Sequence, residues 1–164
     1  MSARVYVSLG SNVDREAKIR LAVTAMRDQF GEVELSPVYD SEAVGFDGSD
    51  FLNLVAGIDT SLEVEAVVGI FRAIEDQLGR DRSLPKFASR PIDLDILTYD
   101  DLIVDVPGIR IPRPEILKNA FVLKPLQDIA AHDLHPESGE SYAALWQRMA
   151  PNAPRLNVYP MRFQ

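Results

Sequence analysis

In the stretch RPIDLDILTYDD, residues 90–101, Asp93 and Asp95 alternate with Ile92, Leu94 and Ile96. That period of two belongs to a strand with one face in a core. Residues i and i+2 of a strand share a face, roughly 7 Å apart at Cα, so the two carboxylates project together. Unpaired, such charges repel; a divalent cation between them turns the repulsion into binding energy. Mg²⁺ prefers hard oxygen ligands and is commonly held by one or two carboxylates completed by substrate phosphates. Two metals about 3.5–4 Å apart could be bridged by such a pair. Taken alone, the pair reads more simply as the solvated outer face of a strand.

The cations just upstream change that balance. Arg80, Arg82, Lys86 and Arg90 fall within eleven residues of a chain that is acidic overall. Guanidinium and ammonium groups beside a metal-binding acid pair suit a polyphosphate, with metal on some oxygens and guanidinium on the others. A solvated loop of weak surface ion pairs is the competing reading. A third element is FLNLVAGID, residues 51–59. Leu52, Leu54, Ala56 and Ile58 form one face of a strand, and Phe51, Asn53 and Val55 form the other. Phe51 and Asn53 are expected on the side of the aspartates. An aromatic surface beside an amide suits a flat heterocycle, stacked on the ring and read at its edge. Phe121 is a candidate second wall, although a phenylalanine in AFVLKPL is also an ordinary core residue.

These groups need elements to hold them. RVYVSL, residues 4–9, alternates, with Val5, Val7 and Leu9 on one face. The GSN that follows reads as a turn, with Ser11 or Asn12 capping a helix. Ile19, Ala22, Val23, Met26 and Phe30 then recur at helical spacing. Residues 33–43 read as a second strand, at an edge or bent at Pro37. Helical spacing returns over 63–78 in Val67, Ile70, Phe71, Ile74 and Leu78, with Gly79 as a stop signal. After the acidic strand, 99–104 reads as a hairpin. Short helices follow near 114–118, 124–130 and 141–149. The order β-α-β-β-α-β plus a helical tail predicts an α+β, ferredoxin-like sandwich with a mainly antiparallel sheet and extra C-terminal helices.

The bulk figures exclude other classes. A chain of 164 residues suits one domain, read here as 1–164. A net charge of −8 argues against a general nucleic-acid binder. No apolar run is long enough to span a bilayer, and the N-terminus enters a strand pattern rather than a signal peptide. With no cysteine there is no disulfide or thiolate metal site. The chain reads as cytoplasmic and monomeric, with small-molecule partners.

Several blocks in order, SLGSN, FLN, IEDQLGRDR, RPIDLDIL, IPRP and AFVLKPLQDIA followed by HPESG, resemble the 6-hydroxymethyl-7,8-dihydropterin pyrophosphokinase family of folate biosynthesis. The resemblance covers nearly the whole chain and implies the same ferredoxin-like fold. It implies transfer of pyrophosphate from ATP, the co-substrate, to the pterin hydroxymethyl group with release of AMP. Asp93 and Asp95 would hold two Mg²⁺ ions, and Arg80 and Arg90 would close on the phosphates. An ATP site is implied at Arg72, Glu75, Arg80, Arg82, Phe87, Arg90, Ile96, Arg110 and Arg113. A pterin site is implied at Ser41, Glu42, Val44, Phe51, Asn53 and Phe121. The departures lie on the nucleotide side. Phe87 stands where the family carries Trp, Arg113 where it carries His, Asn119 where it carries Arg, and Arg72 where it carries Gln. They motivate an alternative, a non-catalytic or altered-specificity pterin-binding paralogue with a weakened ATP site.

Overall fold

The computed structural model describes residues 2–41, 50–79 and 91–163. Nine residues, Ala3–Ser11, form β1, and α1 follows over Arg15–Phe30. The next segment is broken into β2, Glu34–Leu35, and β3, Val38–Ser41. The break falls at Ser36–Pro37, where Pro37 has no N–H to give a ladder. Ser36 fills the gap: its N–H donates to the Val55 carbonyl, and its Oγ accepts from the Val55 N–H, both at 2.9 Å. Then come β4, Phe51–Thr60, α2, Val64–Gln77, and β5, Asp93–Tyr99. Two short strands, β6 (Val104–Val106) and β7 (Ile109–Ile111), pair with each other. A 3-10 turn over Pro114–Leu117 leads to α3, Ala120–Ala130, and α4, Tyr142–Met149; β8, Asn157–Tyr159, ends the order.

The main sheet runs β5-β1-β4-β3-β8, with β2 also on β4, and its pairings are antiparallel. Through β3 this is the ferredoxin-like arrangement expected. One face carries Val5, Val7, Leu9, Leu52, Leu54, Ala56, Ile58, Leu94 and Ile96. Against it pack Ile19, Ala22, Val23 and Met26 of α1 and Val64, Val67, Phe71 and Ile74 of α2. Burying such side chains contributes about 1.5–3 kcal/mol each, so this layer dominates the fold's stability. Among the described residues, the opposite face is covered at one end. There Tyr6, Val55 and Leu97 meet Val122, Leu123 and Leu126 of α3 and Tyr142 and Leu145 of α4.

Four local expectations are corrected. Gly10 and Ser11 belong to β1 rather than to a turn. Helix α1 is entered through Asp14 in the left-handed region, with no side-chain cap there; Ser11 Oγ instead donates to the Pro91 and Val13 carbonyls. The hairpin after β5 lies at 104–111, turning at Gly108, because Asp100–Asp101 forms a tight turn of its own. Helix α3 begins four residues before the expected 124. Of the two readings of 33–43, the bend at Pro37 holds and the edge does not, because β8 pairs with β3.

Candidate active site

The site starts from sheet register. Gly10 of β1 is the partner of Asn53 on β4 and of Asp93 on β5. Ser8 is likewise the partner of Val55 and Asp95. Directly opposed residues share a face, so Asn53, Gly10 and Asp93 form one row across three strands. Two strand spacings of about 4.8 Å separate the outer members by roughly 10 Å. Tyr39, the partner of Asn53 on β3, extends the row. The side chain between the amide and the acid is missing because that residue is glycine. A Cβ there would lie 3.0 Å from Asn53 Oδ1 and 3.8 Å from Phe51 Cδ1. Gly10 therefore lets the amide and the Phe51 ring lie close over β1.

Asn53 is buried, and its orientation is fixed. Its Nδ2 donates to Ser41 Oγ at 2.7 Å across the β3–β4 pair. Its carbonyl oxygen is thereby turned towards Gly10, where it can accept a hydrogen bond. Phe51 is half-buried at the start of β4. Phe121 is half-buried in the first turn of α3, which lies against β3 and β4. The structure thus brings Ser41, Phe51, Asn53 and α3 to one end of the sheet face.

On the other side of the row, Asp93 and Asp95 are partly exposed on β5 while Leu94 and Ile96 point into the core. Strand β5 is the end of the sheet order, so alternate N–H groups point away from β1. One of them is taken by α2: Leu94 N–H donates to Glu75 Oε2 at 2.8 Å. Glu75 is only 5 % exposed. It acts as a bolt between helix and strand, set between the two acids. In the sequence the signal for this was an acid four residues after Phe71, on the apolar stripe of its helix.

Arg113 faces the acid pair. Its Nη1 lies 3.7 Å from Asp95 Oδ1, and its Nε donates to Glu115 Oε2 at 2.6 Å. Burial pulls the guanidinium pKa down, but Asp95, Glu115 and Asp93 outweigh it, and the pKa is raised. Its backbone N–H donates to the Leu97 carbonyl at 3.0 Å, tying the segment after β7 to β5. Asp93, Asp95, Ile96, Glu75, Arg72, Arg110 and Arg113 line one cleft of about 350 Å³ between α2, β5 and β7. Arg72 Nη2 stands 3.1 Å from where a Cβ on Gly108 would be. Gly108 both makes the hairpin turn, at φ +86°, and leaves room for that guanidinium. Ile96 supplies backbone and apolar wall rather than a polar contact, since it is buried in the core. Arg110 is exposed and 3.8 Å from Asp105. Glu42, Val44, Arg80, Arg82, Phe87 and Arg90 lie outside the described residues.

The donor set fits a hard divalent cation. Two carboxylates on one strand face supply oxygen ligands without forming a closed cage. Among the described residues no group of three acid or histidine side chains could hold a metal alone. A pair of carboxylates suits an ion that keeps several positions for water and phosphate oxygens.

Comparisons with known proteins point the same way. The sequence model for 7,8-dihydro-6-hydroxymethylpterin-pyrophosphokinase (HPPK) matches residues 6–131. A 2-amino-4-hydroxy-6-hydroxymethyldihydropteridine pyrophosphokinase of Pseudomonas aeruginosa is 38% identical over 137 residues, covering 79% of this chain and 82% of that protein. The Aquifex aeolicus protein of the same name is 36% identical over 137 residues, 82% of this chain and 84% of that one. The folic acid synthesis protein fol1 of Pneumocystis carinii is 37% identical over 148 residues, 88% of this chain; the chain spans only 20% of its length. A crystal structure of Plasmodium falciparum HPPK-DHPS, wild type with pteroate, superposes with a TM-score of 0.73 at 12% identity. It covers 93% of this chain and 43% of that one, and so shows the shared fold. The chain belongs to the 7,8-dihydro-6-hydroxymethylpterin-pyrophosphokinase family.

Proposed function

We propose that the row from Asn53 to Asp93 is where a reduced pterin lies while ATP enters from the arginine-lined cleft, and that Asp93 and Asp95 hold two Mg²⁺ ions between them. The chain is then a transferase that moves pyrophosphate from ATP to the hydroxymethyl oxygen of 6-hydroxymethyl-7,8-dihydropterin and releases AMP. The observation that carries this reading is the shared register of Asn53, Gly10 and Asp93. An edge-reading amide and a metal-binding acid stand roughly 10 Å apart on one face, the span of a bicyclic ring with a one-carbon arm.

Each residue then has a physical task. Asn53 accepts from a ring N–H, its amide held by Ser41. Phe51 and Phe121 provide apolar faces for the ring. Asp93 and Asp95 fix the end of the row where the hydroxyl and the phosphates meet. Magnesium, when bound, offsets the charge on the phosphate oxygens and on the attacking oxygen. Arg113, held now against Asp95, is placed to exchange that carboxylate for a phosphate oxygen as nucleotide enters. Glu75 keeps β5 at a fixed depth, so the two acids do not drift apart. The protein supplies no nucleophile; it aligns the substrate hydroxyl with the β-phosphorus and so converts a bimolecular encounter into an oriented one.

Incubation of the purified chain with ATP, Mg²⁺ and 6-hydroxymethyl-7,8-dihydropterin tests this. Equimolar AMP and pterin diphosphate are expected. Pterin binding without AMP formation would overturn it in favour of the non-catalytic paralogue.

A further inference from the structure

The residues after 131 lie beyond the family match, yet the last of them reach the substrate-facing end of the sheet. Strand β8 pairs with β3, placing Tyr159 opposite Val38, Val158 opposite Tyr39 and Asn157 opposite Asp40. Strand β3 has only four residues and carries Ser41, the acceptor for the Asn53 amide. The Tyr159 ring lies over the Arg15 guanidinium, 5.3 Å from centroid to Cζ, and its hydroxyl donates to Glu16 Oε2 at 2.9 Å. Arg15 in turn grips Asp40 with both terminal nitrogens, at 2.9 and 3.3 Å, and donates to the Asp50 carbonyl at 3.2 Å. Asp40 is one residue before Ser41, and Asp50 is one residue before Phe51. A second arginine of α1, Arg20, holds the Arg162 carbonyl and lies 5.7 Å from the Phe163 ring.

We infer that the C-terminal segment 157–163 acts through Arg15 as a positioning device for the heterocycle wall. It sets the separation of Ser41 and Phe51, and through them the aim of the Asn53 amide. The inference rests on the pyrophosphokinase reading. The physical reason is geometric. One planar guanidinium bonds to the ends of both strands, and its own plane is fixed by the aromatic ring above it. Removing the ring frees the fork; removing the fork frees both strand ends. Neither Arg15 nor Tyr159 lines the nucleotide cleft, so the effect falls on one substrate.

Steady-state kinetics on the full chain, varying each substrate, tests this. Arg15→Gln and Tyr159→Ala are each expected to raise the KM for the pterin roughly 5- to 20-fold, with the KM for ATP nearly unchanged. Tyr159→Phe keeps the ring and is expected to stay within about 2-fold of the unaltered chain. The Arg15→Gln/Tyr159→Ala pair should be no worse than Arg15→Gln alone, because both act along one path. Equal changes in both KM values, or none, would overturn the inference, as would a Tyr159→Phe defect equal to that of Tyr159→Ala. Should Tyr159→Ala fail to fold, Arg15→Lys decides the matter: it keeps the charge but not the fork, and an unchanged pterin KM sinks the proposal. Absence of turnover in the unaltered chain would instead defeat the underlying reading, and this inference with it.

Discussion

Asn53 and Asp93 stand on either side of Gly10, each its direct partner across β1. An amide and a carboxylate are thereby held on one row by backbone hydrogen bonds rather than by side-chain packing. Any change to the residue between them acts on the amide first, since a Cβ on Gly10 would lie 3.0 Å from Asn53 Oδ1. Gly10→Ala is therefore expected to weaken pterin binding roughly 10-fold, about 1.4 kcal/mol. Affinity for a Mg-ATP analogue should be unchanged. Isothermal titration with each ligand separately checks both halves.

Glu75 accepts from Leu94 N–H at 2.8 Å, between the two acids. Glu75→Ala leaves that buried donor without its partner and should cost about 1–3 kcal/mol in urea unfolding. It should also weaken Mn²⁺ binding by the folded chain, because β5 is no longer bolted to α2. Glu75→Gln keeps an acceptor oxygen and should lose less on both counts. Equal losses for the two substitutions would mean that the charge of Glu75, not its hydrogen bond, is what matters.

Arg113 lies 3.7 Å from Asp95 Oδ1 and so competes with any cation there. Arg113→Gln should raise the affinity for free Mn²⁺ in the absence of nucleotide, by roughly 2- to 5-fold, the scale of a partly exposed ion pair. The same substitution should raise the KM for ATP. Opposite signs in the two measurements are the diagnostic result; a fall in both affinities would place Arg113 outside the exchange.

The face assignment of the aspartates was legible because period two is hard to mistake: Leu94 and Ile96 go in, Asp93 and Asp95 stay out. The same holds for Leu52, Leu54, Ala56 and Ile58 against Phe51 and Asn53. What the sequence could not supply was register. Nothing in SLGSN says that Gly10, and not Leu9 or Ser11, lies between Asn53 and Asp93; that depends on pairings between segments more than forty residues apart. Strand β8 was invisible for a different reason. Its three residues, NVY, are too short for any pattern, and their strand state comes from β3 offering an edge. Arg15 carried no signal in the sequence, since its partners come from distant segments.

His135 is only 1 % exposed, and its Nδ1 accepts from the N–H groups of Glu137 and Ser138 at 3.2 and 3.1 Å. Burial lowers its pKa from the ordinary 6.5, partly opposed by Glu137. The folded state thus favours the neutral ring, and its contribution is complete above pH 6.5, the unfolded value. It declines as pH falls from there towards the lower folded pKa, by at most about 1.4 kcal/mol per pH unit. Urea unfolding at pH 7.5 and 5.5 should show this loss in the unaltered chain and a smaller one in His135→Gln. An identical pH dependence in both would remove His135 as its source.

The central claim is that Asp93 and Asp95 clamp divalent metal against a nucleotide's phosphates. Anomalous diffraction at the manganese edge, from crystals grown with Mn²⁺, a non-hydrolysable ATP analogue and the pterin, tests it most directly. Two peaks are expected, each within coordination distance of an Asp93 or Asp95 carboxylate oxygen and of a phosphate oxygen. Peaks confined to other acids, or phosphates bound by arginines with no metal at β5, would contradict the account.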